Sequence, residues 1–138
     1  MQATYLGSLR CEAQHIKSGV HVITDAPPDN KGRGEAFSPT DLMCTSLAVC
    51  MITIMGITSN EKGIKLGGVK ADIEKIMASN PRRVLRINIK MLIEDCGLSQ
   101  KDKSILENAA ITCPVARSLN AEIVQDVQFE YLEPGVIS

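Results

Sequence analysis

Tryptophan is absent from this 138-residue chain, and aromatic residues make up only 3% of it. A hydrophobic core therefore has to be built from aliphatic side chains and methionine. Positive charge is not in excess either, because 15 Lys and Arg stand against 16 Asp and Glu, for a net charge of −1. Without a basic excess to neutralise phosphates, or aromatic residues among basic ones to stack on bases, we expect no nucleic-acid partner.

Targeting and metal-binding signals are also missing. The first ten residues, MQATYLGSLR, hold no basic segment followed by an apolar run, so no secretory signal is expected. The five cysteines include no Cys-x-x-Cys pair, and His15 and His21 lie far from most of them in sequence. We therefore expect no metal, no bound cofactor and a cytoplasmic location, where thiols stay free unless they have a chemical role.

The hydrophobic pattern places strands and helices in separate parts of the chain, which is typical of an α+β domain. Alternating apolar and polar residues predict strands in three stretches: residues 3–24 with a turn at Ser18-Gly19, a hairpin over residues 69–94, and residues 123–131. After the first strands, residues 25–36 collect prolines, glycines and charges and predict a long loop. We expect a single domain spanning residues 1–138.

The most apolar stretch runs from Leu42 to Ile57 and is preceded by a helix-start pattern. In Ser38-Pro-Thr-Asp41 a hydroxyl stands at the N-cap, proline at the first helical position, and a carboxylate three residues after the cap. A helix that is apolar on all sides either is buried on all sides or spans a membrane. The capping pattern and the Ser and Thr groups favour a buried central helix, followed by a connector at residues 60–68, over membrane insertion. Because one antiparallel sheet covers only one face of a helix, a second copy of the chain is expected to cover the rest.

A second helix is predicted to start at Ser99-Gln-Lys-Asp102, which repeats the capping pattern, and to carry Cys113 on its apolar stripe. Pro114 cannot continue that helix, but it can begin a short new one over residues 114–119 with Cys113 as the N-cap. At an N-cap, unpaired backbone N–H groups and the helix dipole stabilise an anion. Electrostatics therefore predicts a lowered pKa for the Cys113 thiol.

The remaining cysteines have less to distinguish them. Cys11 lies in a predicted strand and Cys96 at a strand end, where a cysteine usually serves as a small hydrophobic residue. Cys44 and Cys50 point roughly 240° apart around their helix, at about 100° per residue, so they cannot form a disulfide or bind one metal together. The sequence leaves the role of Cys44 open.

Two segments resemble signatures of the OsmC/Ohr family of thiol-dependent peroxidases. The stretch from Ser38 to Met51, in which proline is followed eleven residues later by Cys50, looks like the central-helix signature of that family. Thr112-Cys-Pro-Val-Ala-Arg-Ser-Leu119 is similar to its second motif, a Cys-Pro-Val followed by small and basic residues. The order of elements, the length and the final strand agree as well, so the resemblance covers nearly the whole chain.

The resemblance implies a fold, an activity and a set of partners. The fold would be an intertwined homodimer, with antiparallel sheets packed around two central helices per subunit. Cys50 would attack an organic hydroperoxide and become a sulfenic acid, which Cys113 would resolve as a disulfide. A small-molecule or lipoyl-type dithiol would then reduce that disulfide.

The family also activates its attacking cysteine with an arginine, itself held by a glutamate just after the helix proline. In this chain that position is Thr40, and the nearest carboxylate is Asp41. We expect the arginine to be Arg33 in the long loop, with Arg10 as the alternative. Because the glutamate is missing, a dimer of this fold that binds an apolar ligand without turnover stays open as a second function. A third is a thiol sensor whose oxidation alters partner binding.

Overall fold

Six strands and three α-helices follow one another along residues 1–137, the part of the chain that the computed structural model describes. In chain order they are β1 (Gln2–Gly7), β2 (Arg10–Gln14), β3 (His21–Asp25), α1 (Pro39–Lys62), β4 (Val69–Ala78), β5 (Arg83–Glu94), α2 (Gln100–Ile111), α3 (Pro114–Ser118) and β6 (Val124–Leu132). The α+β class predicted from the sequence is confirmed. The chain divides into two compact units, Met1–Met43 and Cys44–Ser138, and the expectation of one domain over residues 1–138 stays a prediction.

The N-terminal unit holds an antiparallel sheet in the order β1-β2-β3. The turn predicted at Ser18-Gly19 is confirmed, since the His15 N–H donates to the Val20 carbonyl at 2.9 Å across it. Within residues 1–43, the fully buried residues are polar, Asp25 and Ser38. Large apolar side chains are instead exposed at eight positions: Met1, Tyr5, Leu6, Leu9, Ile16, Val20, Val22 and Phe37. This unit therefore lacks an apolar core made from its own described side chains.

The loop predicted at residues 25–36 is present, and it contains one 3-10 turn at Pro28–Asn30. Its ends are tied together, because the Asp25 N–H donates to the Phe37 carbonyl at 3.0 Å. Inside the loop, Gly32 lies so close to Ala26 that a Cβ atom on it would sit 1.7 Å from the Ala26 carbonyl oxygen. Glycine is thus required where the loop folds back on itself.

Helix α1 begins with the capping arrangement predicted from the sequence. The Ser38 hydroxyl accepts from the Asp41 N–H at 3.0 Å, and the Asp41 carboxylate accepts from the Ser38 N–H at 2.9 Å. The helix is longer than predicted, because residues 60–62, assigned to a connector, form its last turn. Its end falls at Gly63, whose φ of +64° is the left-handed conformation typical of a residue that terminates a helix.

In the C-terminal unit, α1 buries one face and exposes the other. The apolar core of this unit comes mainly from α1, β5 and α2, through Cys44, Leu47, Ala48, Met51, Met55, Ile87, Ile89, Met91, Ile93, Leu106 and Ala110. On the opposite side of α1, Val49 is 56% and Ile57 is 47% exposed, so the expected burial on all sides is not reached within one chain. By length and composition α1 is also able to cross a membrane, a property that it shares with core helices of soluble proteins.

The second sheet has the order β4-β5-β6. The hairpin predicted over residues 69–94 is confirmed, because β4 pairs antiparallel with β5 from Val69 opposite Ile93 onward. The expectation of purely antiparallel sheets is wrong for β6, which pairs parallel with β5. The reason is that α2 and α3 form a crossover that carries the chain back to the start of β5, so that β6 runs in the same direction.

A buried carboxylate links the two outer strands at one end of this sheet. Glu94, the last residue of β5, is 4% exposed. Its Oε2 accepts from the Gly68 N–H at 3.0 Å, and its Oε1 accepts from Gly135 at 3.0 Å and from Ile137 at 2.7 Å. One side chain thus fixes the segment before β4 and the segment after β6.

Candidate active site

Cys113 lies at the junction of two helices, as the sequence predicted. Helix α2 starts at the Ser99 and Asp102 capping box, and Cys113 is the N-cap of α3, with Pro114 at its first position. The Cys113 side chain is buried, at 1% exposure, and its Sγ accepts from the Ala116 N–H at 3.5 Å.

The backbone around Cys113 is held on both sides. Its N–H donates to the Ala110 carbonyl at 3.2 Å, and its carbonyl accepts from the Arg117 N–H at 3.1 Å. The Arg117 side chain reaches back, so that its Nε donates to the Thr112 carbonyl at 2.8 Å. The N–H and the carbonyl of Cys113 therefore both have partners, and the backbone that carries the thiol is held in place.

Cys50 lies in α1, at the border between the buried and the exposed face of that helix, and is partly exposed. The side chains of Cys50 and Cys113 are neighbours, close enough for Cys50 to raise the pKa of the Cys113 thiol. None of the five cysteines, all within the part of the chain that the structure describes, forms a disulfide. The structure thus brings together, without a bond between them, the two cysteines that the sequence motifs single out.

The pKa predicted for Cys113 is corrected by its surroundings. Burial raises the pKa of the Cys113 thiol, the Ala116 N–H lowers it, and the neighbouring Cys50 raises it further. The expectation of a lowered pKa was therefore wrong, although the N-cap geometry behind it was right. The first turn of a five-residue helix offers too little to an anion to offset the loss of solvent.

The other three cysteines differ from this pair in position and burial. Cys44 is buried on the inner face of α1, and its role stays open. Cys11 and Cys96 are partly exposed. Among residues 1–137, no group of three or more His, Cys, Asp or Glu side chains could hold a metal ion.

Within the N-terminal unit, Arg10 is held by two carboxylates. Arg10 in β2 stands opposite Asp25 in β3, and its Nε and Nη2 donate to the two carboxylate oxygens at 2.8 and 2.9 Å. Nη2 also donates to Glu35 Oε2 at 3.1 Å, while the Glu35 N–H donates to Asp25 at 3.2 Å. The hydrogen bond from Arg10 lowers the pKa of Asp25, and the charge of the exposed Arg33 adds to this.

The sequence reading did not find Asp25 or Glu35. Their link to Arg10 depends on the β2–β3 register and on the fold of the loop, so no local sequence pattern predicts it. The sequence feature that could have indicated an arginine site is the pair of carboxylates near the two ends of the loop. By contrast, Asp41 was singled out, and the structure places its carboxylate in the α1 capping box; any role beside an arginine stays a prediction.

Comparison with known proteins identifies relatives. The sequence profile of OsmC-like proteins matches residues 32–128. The crystal structure of a candidate osmotic stress induced and detoxification response protein from Psychrobacter arcticus is 46% identical, covers 94% of this chain and 93% of its own, and has a TM-score of 0.88. No curated protein matches the chain.

Two further structures are too distant in sequence to show more than the fold. An OsmC-like protein from Mycoplasma pneumoniae is 16% identical, with a TM-score of 0.80 over 96% of this chain and 95% of its own. An organic hydroperoxide resistance protein from Elizabethkingia anophelis, with thiocyanate bound, is 13% identical, with a TM-score of 0.74 over 94% of each chain.

Proposed function

The chain belongs to the OsmC-like protein family, and from that premise we propose that it is a thiol-dependent peroxidase that reduces organic hydroperoxides. The observation that carries the proposal is the proximity of the side chains of Cys50 and Cys113, which come from different helices. Two distant structural relatives are named organic hydroperoxide resistance proteins, and these names support organic hydroperoxides as the substrate class.

The chemistry follows from two adjacent thiols. The thiolate of Cys50 attacks one oxygen of the peroxide bond; the S–O bond forms, the O–O bond breaks, and the alcohol leaves after taking a proton. Cys50 is oxidised to a sulfenic acid. The thiolate of Cys113 then attacks the Cys50 sulfur, so that a disulfide forms and the hydroxyl leaves as water with a second proton. A dithiol reductant returns both cysteines to thiols by exchange, taking the disulfide onto itself.

The order of attack is supported by accessibility. Cys50 is partly exposed, whereas Cys113 is 1% exposed and has a pKa raised by burial. A peroxide from solvent therefore reaches Cys50 first. The buried Cys113 is suited to the second step, which needs only a neighbouring sulfur and no incoming substrate.

We propose that an arginine activates Cys50, as the resemblance to the OsmC/Ohr family implies. The candidates are Arg33, with Asp41 as its carboxylate, and Arg10. The arrangement of Arg10 favours the second candidate, since Asp25 and Glu35 already hold its guanidinium in one orientation. These two carboxylates would take the part that the family gives to a glutamate at the position of Thr40.

We further propose that the protein works in the cytoplasm as a homodimer. The N-terminal unit exposes large apolar side chains, and α1 exposes Val49 and Ile57. Apolar surface on this scale usually marks an interaction site, and two-fold dimers are the commonest oligomers. Sedimentation should show a dimer at micromolar concentration; a stable monomer would contradict this part of the proposal.

The decisive experiment combines turnover with mapping of the disulfide. Wild-type protein with an organic hydroperoxide and a dithiol should consume peroxide, and one equivalent of peroxide should yield a Cys50–Cys113 disulfide by peptide mass spectrometry. Cys113→Ser should still form the Cys50 sulfenic acid but should accumulate overoxidised Cys50. Cys44→Ser is the matched control on the same helix and should behave as wild type.

Other outcomes distinguish the competing functions. A dominant disulfide that includes Cys44, or no disulfide at all, would refute the two-cysteine mechanism. Absence of turnover would favour the dimer that binds an apolar ligand, to which the missing glutamate at Thr40 points. Oxidation of Cys50 without sustained turnover would favour the thiol sensor.

A further inference from the structure

On the basis of that proposed function, we propose that Gln125 is a positioning residue that holds Cys113 in place for closure of the disulfide. Gln125 lies in β6, and its Nε2 donates to the Ala116 carbonyl at 3.0 Å. The same residue, Ala116, donates its N–H to the Cys113 sulfur at 3.5 Å. Gln125 therefore touches neither thiol and acts through the backbone of α3.

The hydrogen bonds form a continuous chain from the sheet to the cysteine. The carbonyl that accepts from Gln125 belongs to the peptide group between Ala116 and Arg117. The N–H of this peptide group donates to the Cys113 carbonyl at 3.1 Å. One rigid, planar group thus connects the Gln125 side chain to the Cys113 backbone.

Helix α3 depends on such tethers because it is short. With five residues it is well below the roughly 12–15 residues at which isolated helices become even marginally stable. Its other side-chain bonds are local, from Arg117 to Thr112 and from Ser118 to Pro114. Of these three side-chain hydrogen bonds, the one from Gln125 reaches α3 from the sheet and ties it to β6.

Position matters for the second chemical step more than for the first. Disulfide closure requires Cα atoms about 4.4–6.8 Å apart and a defined direction of approach. A misplacement of about 1 Å can lower the rate of such a step by as much as ~100-fold. Attack on peroxide uses the Cys50 sulfur, which lies on α1 and is not held by α3. Loss of the Gln125 bond should therefore separate the two steps.

The test measures both steps in the full-length protein. Gln125→Leu removes the donor, and Gln125→Glu keeps the shape but replaces the donor by an acceptor. Gln128→Leu is the matched control, because Gln128 lies on the same strand with an exposed side chain. After rapid mixing with one equivalent of hydroperoxide, samples are quenched over time, and Cys50 sulfenic acid (trapped by a dione probe) and Cys50–Cys113 disulfide are counted by mass spectrometry.

Both Gln125 variants should form the sulfenic acid at the wild-type rate and close the disulfide about tenfold more slowly, within the range expected for a displaced reacting group. Gln128→Leu should match wild type in both steps. Unchanged closure in folded Gln125 variants, even with a lowered melting temperature, would overturn the proposal by leaving Gln125 a purely structural role. Equal slowing of both steps would overturn it as well. If wild-type Cys50 is not oxidised at all, the proposed function fails instead, which is a distinct result.

Discussion

Replacing Glu94 by Gln probes the buried carboxylate that links the two outer strands at one end of the β4-β5-β6 sheet. The substitution changes one oxygen to an NH2 group and keeps the shape of the side chain. In the wild type, three backbone N–H groups donate to this carboxylate, from Gly68, Gly135 and Ile137. The single oxygen of glutamine can serve at most the two that share Oε1.

The magnitude follows from the bond that is lost. With the oxygen facing Gly135 and Ile137, the glutamine NH2 faces the Gly68 N–H, so two donors meet and a buried N–H loses its partner at a cost of about 1–3 kcal/mol. The two remaining bonds become neutral and weaker, which costs about 1 kcal/mol more. Burying a neutral amide is easier than burying a charge and offsets part of this. We expect the free energy of unfolding to fall by about 3 kcal/mol, and the melting temperature by roughly 10 °C at this chain length.

Urea unfolding at fixed protein concentration measures this effect, since the concentration alters the apparent stability of an oligomer. Glu130→Gln is the matched control on the neighbouring strand. The Glu130 carboxylate is exposed and pairs with Lys90 at 2.6 Å, and its loss should change stability little. If Glu94→Gln unfolds at the same urea concentration as Glu130→Gln, the three N–H groups do not depend on the charge, and the reasoning is refuted.

Three further predictions concern pH and capping. Arg10 lowers the pKa of Asp25, so their ion pair stabilises the fold above the ordinary carboxyl pKa of about 4. This stabilisation is lost as the pH falls through the lowered pKa of the folded state. Asp25→Asn should therefore make the urea midpoint less sensitive to acid, in unfolding curves measured down to about pH 2. Burial raises the pKa of the Cys113 thiol, whatever the oxidation state of Cys50. The rate of disulfide closure, measured by stopped flow, should therefore keep rising with pH beyond the ordinary thiol pKa of about 8.5. A plateau of this rate at about pH 8 would contradict the prediction. Ser99→Ala should lower the free energy of unfolding by about 1 kcal/mol through loss of the α2 cap, whereas Ser104→Ala, on an exposed position of the same helix, should not.

The features that sequence reading found are those encoded within a few residues. The capping boxes at Ser38 and Ser99 need only a hydroxyl and a carboxylate three positions apart, and both are present. The N-cap position of Cys113 follows from the proline beside it. The hairpin over residues 69–94 follows from alternation of side chains on adjacent strands.

Most of the features that it missed depend on groups far apart in the chain. The parallel pairing of β6 with β5 is decided by the path of the crossover. The residues of β6 itself do not indicate whether the strand pairs in parallel or antiparallel orientation. The pKa of Cys113 depends on the solvent removed by other elements, which local capping does not report. One missed feature is local: the turn between β1 and β2 places Ser8 and Leu9 at positive φ, where neither residue type is expected, and Gly7 beside them falls within the predicted strand stretch.

The crossover through α2 and α3 sets when, during folding, the link between Gln125 and helix α3 can form. The β4–β5 hairpin is local and can close early, whereas the β5–β6 pairing joins strands distant in the sequence and forms slowly by comparison. The tether from Gln125 exists only once β6 has docked. In a newly synthesised chain the tether from the sheet to α3 is therefore absent until the last strand is in place. A chain stalled before that point lacks the hydrogen bond from Gln125 that we propose holds Cys113 in place for closure of the disulfide.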